Sequence, residues 1–338
     1  MNWFRETVPF SPRRRLNIHF VSWTGGVKSL SMYKGFLHPK IDGYNALHLA
    51  AMNGHIGTIR VLRDMGGDLS ANCFGGTPMH WAARRGHTDV IKILADLGAE
   101  IPRENPTPMH WAAEYGRLDA IKVLCDLGAD ISLSDNMEAP IHCAASGGYI
   151  HAVKLLVELG ADISAKGPGT PMHFAASHGN LEMIEGLKQM GADVSAKDFD
   201  GQTPIHWAAE LGLDDVIEAL KEMGADISAK DEGGWTPMHD AAMNGHVDVI
   251  EALRKMGASI LEKGDSERTA MHWDVFKEGD YTDTVLKKLG AHQISPIGKA
   301  EWTPKLWAAR HNQFDAAEVL MKMEMADHRH ISARRLGT

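Results

Sequence analysis

Along most of the chain, apolar and polar positions follow two alternating schemes. In the first, small residues cluster: Ala82 and Ala83 follow His80, which lets this segment lie close against its neighbours. In the second, Val90, Ile91, Leu94 and Leu97 recur at helical spacing and bury one face. Polar residues and glycines punctuate both. Thr77 suits an N-cap and Pro78 the first helical position. Gly86 ends the short helix in a left-handed conformation. Asp89 then places its charge at the positive end of the following helix. Gly98 stops that helix, and Ala99 to Asn105 leads out towards a hairpin-like finger. The pattern predicts an inner helix, an outer helix and a finger.

The unit recurs. Thr-Pro-Met-His-Trp-Ala-Ala at Thr77 to Ala83 returns at Thr107 to Ala113, and at Thr203 to Ala209 with Ile205 replacing Met. Looser copies lie at Asn45 to Ala51, Pro140 to Ala145, Thr170 to Ala176 and Thr236 to Ala242. Worn ones lie at Thr269 to Val275 and Thr303 to Ala309. The histidines His48, His80, His110, His142, His173, His206, His239 and His272 mark the period, with spacings of 32, 30, 32, 31, 33, 33 and 33 residues. The glycine that closes the outer helix recurs as Gly66, Gly128, Gly160, Gly191, Gly224, Gly257 and Gly290.

A period near 33 residues carrying T-P-x-H-x-A resembles the ankyrin repeat family, over residues 41 to 323. The resemblance implies an all-α solenoid of eight to nine helix-turn-helix repeats with short β-turn fingers. It also implies that the recurring histidine is structural, bonding the threonine and backbone groups near the finger. Asp198 to Gly201 and Asp231 to Gly234 look like full fingers. The 30-residue interval after His80 implies a finger cut by about three residues, and Lys166 to Gly169 is also short. The eighth repeat departs most, with Asp274 and Val275 in place of the alanine pair; the ninth has lost its histidine and reads as a C-terminal cap.

The chain has 338 residues, which would make one unusually large core. Repeats escape that limit because each packs only on its neighbours. Three domains follow: residues 1 to 40, the repeats from 41 to 323, and a tail from 324 to 338. Residues 1 to 40 carry Arg5, Arg13, Arg14, Arg15, Lys28, Lys34 and Lys40 against Glu6 alone, a charge of +6 that leaves −15 on the rest of a chain whose net charge is −9. That stretch is also aromatic. It reads as a cap over the open end of the stack, as a docking arm, or as an organelle-targeting segment.

Charge and composition narrow the function classes. A net charge of −9 argues against general nucleic-acid binding. No apolar run reaches the ~20 residues of a membrane-spanning helix, so no membrane insertion is expected. Three cysteines, Cys73, Cys125 and Cys143, fall in different repeats, which suits a reducing compartment and an intracellular, cytoplasmic location. The histidines invite a metal, but packed helices sit roughly 8–10 Å apart, too far for one zinc with nitrogens at about 2 Å. No cofactor is expected. The recurring tryptophans, Trp81, Trp111, Trp207, Trp273 and Trp307, read as packing between repeats. Trp23 to Ser29 lacks the spacing of a phosphate loop. A catalytic part confined to residues 1 to 40 would be too short for its own core, so the chain is not expected to be an enzyme.

The informative residues vary while the frame stays fixed. In ankyrin proteins the ends of the inner helices and the finger tips line a concave groove that binds partners. Here those positions hold Arg84, Arg85, Glu114, Tyr115, Glu210, Met243 and Asn244, with Phe199 and Trp235 on the fingers. Aromatic residues and arginine are enriched at binding hot spots. The expected function is a non-catalytic protein-interaction scaffold or adaptor, or an accessory subunit of a larger complex. The alternative is an ankyrin-containing effector or regulator acting in another compartment.

Overall fold

The computed structural model describes residues 45–73, 75–103, 106–133, 138–259, 262 and 264. The eighth and ninth repeats, the finger aromatics expected at Phe74 and Trp302, and the expected extensions at 1–40 and 324–338 lie outside the described residues. The chain divides into two compact units at Ala161.

The first unit holds four helix pairs: α1 (Ala46–Met52) with α2 (Ile56–Asp64), α3 (Pro78–Arg85) with α4 (Thr88–Asp96), α5 (Pro108–Glu114) with α6 (Leu118–Asp126), and α7 (Pro140–Ser146) with α8 (Ile150–Glu158). The second holds three: α9 (Pro171–Ser177) with α10 (Leu181–Gln189), α11 (Pro204–Glu210) with α12 (Asp214–Glu222), and α13 (Pro237–Asn244) with α14 (Val247–Lys255). Within each unit inner helix packs on inner helix and outer on outer, in chain order. Each unit is therefore an all-α repeat stack, the fold class the periodicity predicts. Among the described residues the β-structure amounts to one isolated bridge, between Cys73 and Gly76.

Burial follows the pattern. The alanine pairs of α1, α3, α5, α7, α9, α11 and α13 are sealed, and so are Ile91, Ile121, Ile184 and Ile217 on the outer helices. Leu97 is only half-buried, because it forms the cap of α4 instead of its packed face. Gly98 comes one residue later at φ 90°, and two backbone bonds close the helix end: Gly98 N–H to Ala95 O and Ala99 N–H to Leu94 O, both 2.9 Å. The left-handed residue is what makes that pair of bonds geometrically available.

The histidine does more than cap its own helix. Thr77 donates its backbone N–H to Nδ1 of His80 at 3.0 Å, which satisfies an orphan donor at the start of α3. With Nδ1 accepting, the proton belongs on Nε2. Nε2 lies 2.8 Å from the carbonyl of Pro106, the residue just before the next repeat's Thr107. The same bridge runs from His48 to Gly76 (3.1 Å) and from His110 to Glu138 (2.9 Å) in the first unit. In the second it runs from His173 to Gln202 (3.1 Å) and from His206 to Trp235 (3.2 Å). Each imidazole thus ties the start of one inner helix to the approach of the next.

Burial enforces the neutral form. The rings of His80, His110 and His206 lose most of their hydration, which lowers their pKa, to about 4 for His80. The unfolded chain binds these protons near pH 6.5 and the folded chain does not. The stability they support is therefore complete above that pH and lost as pH falls towards 4. Replacing His206 with alanine strands the Thr203 N–H and removes one of two donors to the Trp235 carbonyl, which still accepts the Asp231 N–H. We expect a loss of about 1–3 kcal/mol in chemical denaturation. An unchanged denaturation midpoint and slope would contradict the bridging role.

Candidate partner-binding surface

In the first unit, α3 ends in Arg84 and Arg85, and α5 ends in Glu114 with Tyr115 as its cap. Gly86 follows Arg85 in the left-handed conformation, φ 79°, as expected. The Arg84 guanidinium lies over three rings: 4.5 Å from the centroid of Tyr115, 5.3 Å from Trp81 and 5.8 Å from Trp111. Trp81 and Trp111 meet edge to face at 5.0 Å. The tryptophans do pack between repeats, and together they also seat an arginine. Arg85 and Glu114 are exposed, whereas Arg84 and Tyr115 are half-buried.

A second tie between repeats escaped the sequence reading. In the repeats of His80, His110 and His239, the side chain seven residues after the histidine reaches back to the carbonyl four residues after the preceding repeat's histidine. Arg117 Nε donates to Arg84 O at 3.0 Å, and His87 Nε2 lies 3.1 Å from Met52 O. In the second unit His246 Nε2 lies 2.8 Å from Glu210 O. These side chains lie against the left-handed glycines: a Cβ on Gly86 would sit 3.2 Å from Arg117 Cδ. The signal was present as His87, Arg117 and His246 at one repeat position, but only the geometry shows what they bond.

The second unit presents different chemistry. Asp198 Oδ1 accepts the N–H groups of Asp200 (3.0 Å) and Gln202 (2.8 Å), which folds the finger into a turn. Phe199 at its tip is 59% exposed. The next finger repeats the turn, with Asp231 Oδ1 accepting from Gly233 (2.8 Å) and Trp235 (2.7 Å). The Glu232 N–H donates to Asp200 O at 2.9 Å and joins the two fingers. Trp235 is half-buried, not at the tip, and its carbonyl belongs to the His206 bridge. Glu210 and Met243 are exposed at the ends of α11 and α13, with Leu211 beside Glu210 51% exposed. Asn244 is half-buried and donates Nδ2 to Asp240 O at 3.0 Å.

Asp240 was not singled out by sequence. It stands 33 residues after Trp207, as Asp231 stands 33 after Asp198. In the earlier repeat the Trp207 indole N–H donates to Asp198 Oδ2 at 2.9 Å. In the later one both positions hold carboxylates. Asp240 is 6% exposed and its Oδ2 makes no hydrogen bond. Burial, then the charges of Asp231 and Glu210, push its carboxyl up to about 8. Burial likewise pushes the Cys143 thiol up to about 12, so it is not a reactive nucleophile. Among the described residues no group of three or more His, Cys, Asp or Glu side chains is placed to hold a metal ion.

Comparison with known proteins agrees with this architecture. The family description Ankyrin repeats (3 copies) matches residues 18–105, 68–135, 102–167, 141–231 and 172–264. The chain belongs to the ankyrin repeat family. The crystal structure of the human ASB11 ankyrin repeat domain is similar in fold, with a TM-score of 0.55 and 23% identity, over 63% of this chain and 98% of that one. No curated protein matches the sequence. Ankyrin repeats are a protein-interaction fold. Among the described residues no helix is long and apolar enough to cross a membrane.

Asp240 generates a pH prediction opposite in sign to the histidines. Its unfolded carboxyl ionises near 3.8 and its folded carboxyl near 8, so stability falls as pH rises between them. The ceiling is about 1.4 kcal/mol per pH unit. Asp240→Asn should melt higher than wild type, by a margin that grows from pH 5 to pH 8 in calorimetric scans. A margin independent of pH would contradict the strained carboxyl.

Proposed function

We propose that this protein is a non-catalytic scaffold or adaptor that binds a protein partner along the inner-helix ends and finger tips of its repeats. The observation that carries the reading is the contrast between frame and edge. Within each unit the frame is sealed and repeats its bonds. The residues the frame does not use include Phe199, Leu211 and Met243, large apolar side chains left in water. Solvent exposure of single apolar residues is ordinary. Here they fall at repeat positions that need no apolar side chain for folding. A stack already rigid orders little more of its own chain on binding, so a few such anchors can dominate affinity. An intracellular, cytoplasmic setting and membership of a larger complex belong to the same proposal.

The test is affinity capture with quantitative mass spectrometry, comparing wild type with Phe199→Ala plus Met243→Ala. The double variant should keep its helical circular dichroism and retain its partners roughly tenfold less well, as loss of central anchors does. Equal capture by the variant, with capture abolished by deleting residues 1–40 or 324–338, would reduce the repeats to a spacer.

A further inference from the structure

Arg84, Arg85 and Arg117 make the most unusual surface in the first unit. Among the described residues none of the three pairs with a carboxylate; the ion pairs there are Arg63 with Asp64 and Lys230 with Glu262. Arg85 and Arg117 are exposed, and Arg84 is half-buried. The Tyr115, Trp81 and Trp111 rings hold the Arg84 guanidinium within 4.5–5.8 Å of their centroids. Its backbone is held as well, because Arg117 Nε donates to the Arg84 carbonyl. Arg117 is thereby drawn to the same edge.

We infer that this edge is a carboxylate-binding platform, and that the partner presents an acidic peptide segment to it. The inference rests on the partner-binding reading and specifies its chemistry in one unit. A guanidinium stacked on an aromatic face keeps its in-plane N–H donors for a second group, and those donors match a carboxylate two at a time. Holding the side chain on three rings removes rotamer freedom before the ligand arrives, so less is lost on binding. Unpaired arginines also avoid the competition that an internal salt bridge would impose. Two observations favour a peptide over a nucleic acid. The exposed Glu114 sits beside the platform, and the chain as a whole is −9, so the positive potential is local and not a stripe that follows a phosphate backbone. The half-buried rings of Tyr115 and Trp111 flank the guanidinium and offer apolar contact to the segment that carries the acid.

The test pans a random peptide library displayed on phage against the full chain, then measures selected peptides by calorimetry. Selected sequences should be enriched in Asp and Glu. Their affinity should weaken as salt is raised and fall roughly tenfold or more in Arg84→Gln. Arg84→Lys keeps the charge but not the planar fork, and should also weaken binding several-fold. Thermal melts matching wild type separate these effects from unfolding. Acidic peptides that bind Arg84→Gln as tightly as wild type would overturn the platform, as would tighter binding of a single-stranded oligonucleotide. Selected peptides without acid enrichment, sensitive to Phe199→Ala or Met243→Ala, would overturn the platform while leaving the scaffold reading intact. Selection of no peptide at all would count against both.

Discussion

A neutral imidazole shared between consecutive repeats is the constraint on which the fold depends. Nδ1 accepts the N–H that opens an inner helix, and Nε2 meets the carbonyl that precedes the next one. Both bonds require the same tautomer, and protonation would remove the acceptor. The low-dielectric site that strengthens the bonds also keeps the ring uncharged. The remaining frame follows. Alanine pairs let inner helices approach closely enough for Nε2 to reach across. Left-handed glycines turn the chain back without a Cβ where Arg117 and other side chains of the following repeat must lie.

A frame fixed this way tolerates chemical change at the positions it does not use, and the two units show opposite outcomes. In the first, arginine stacks on three rings at the edge. In the second, a tryptophan–aspartate hydrogen bond in one repeat becomes a pair of carboxylates in the next, with Asp240 buried. Stability alone does not select a buried, unpartnered carboxyl, so Asp240 marks a repeat under some other demand. The stack carries that strain because its stability is a sum over neighbouring repeats, not a single core.

Much of this was legible in sequence because repetition turns weak local signals into a strong one. The histidine period, the Thr-Pro starts and the outer-helix glycines place the described helices and their left-handed ends. Arg84 and Tyr115, adjacent by repeat position, do meet, with the guanidinium 4.5 Å from the ring centroid, since one repeat of separation puts inner-helix ends side by side. What sequence could not give was the direction of individual side chains. Trp235 looked like a finger-tip aromatic, yet its backbone belongs to the histidine bridge. The backward reach of Arg117 and His246 to a carbonyl leaves no trace in composition. Asp240 was passed over because its meaning depends on which finger residue it faces, and that appears only when Trp207 and Asp198 are seen bonded.

The most direct measurement is nitrogen-15 NMR of the imidazole rings across a pH titration. The account predicts that His80 shows the Nε2–H tautomer and stays neutral through pH 5. A His80 ring that becomes protonated well above pH 5 while the chain remains folded, or that carries its proton on Nδ1, would contradict it.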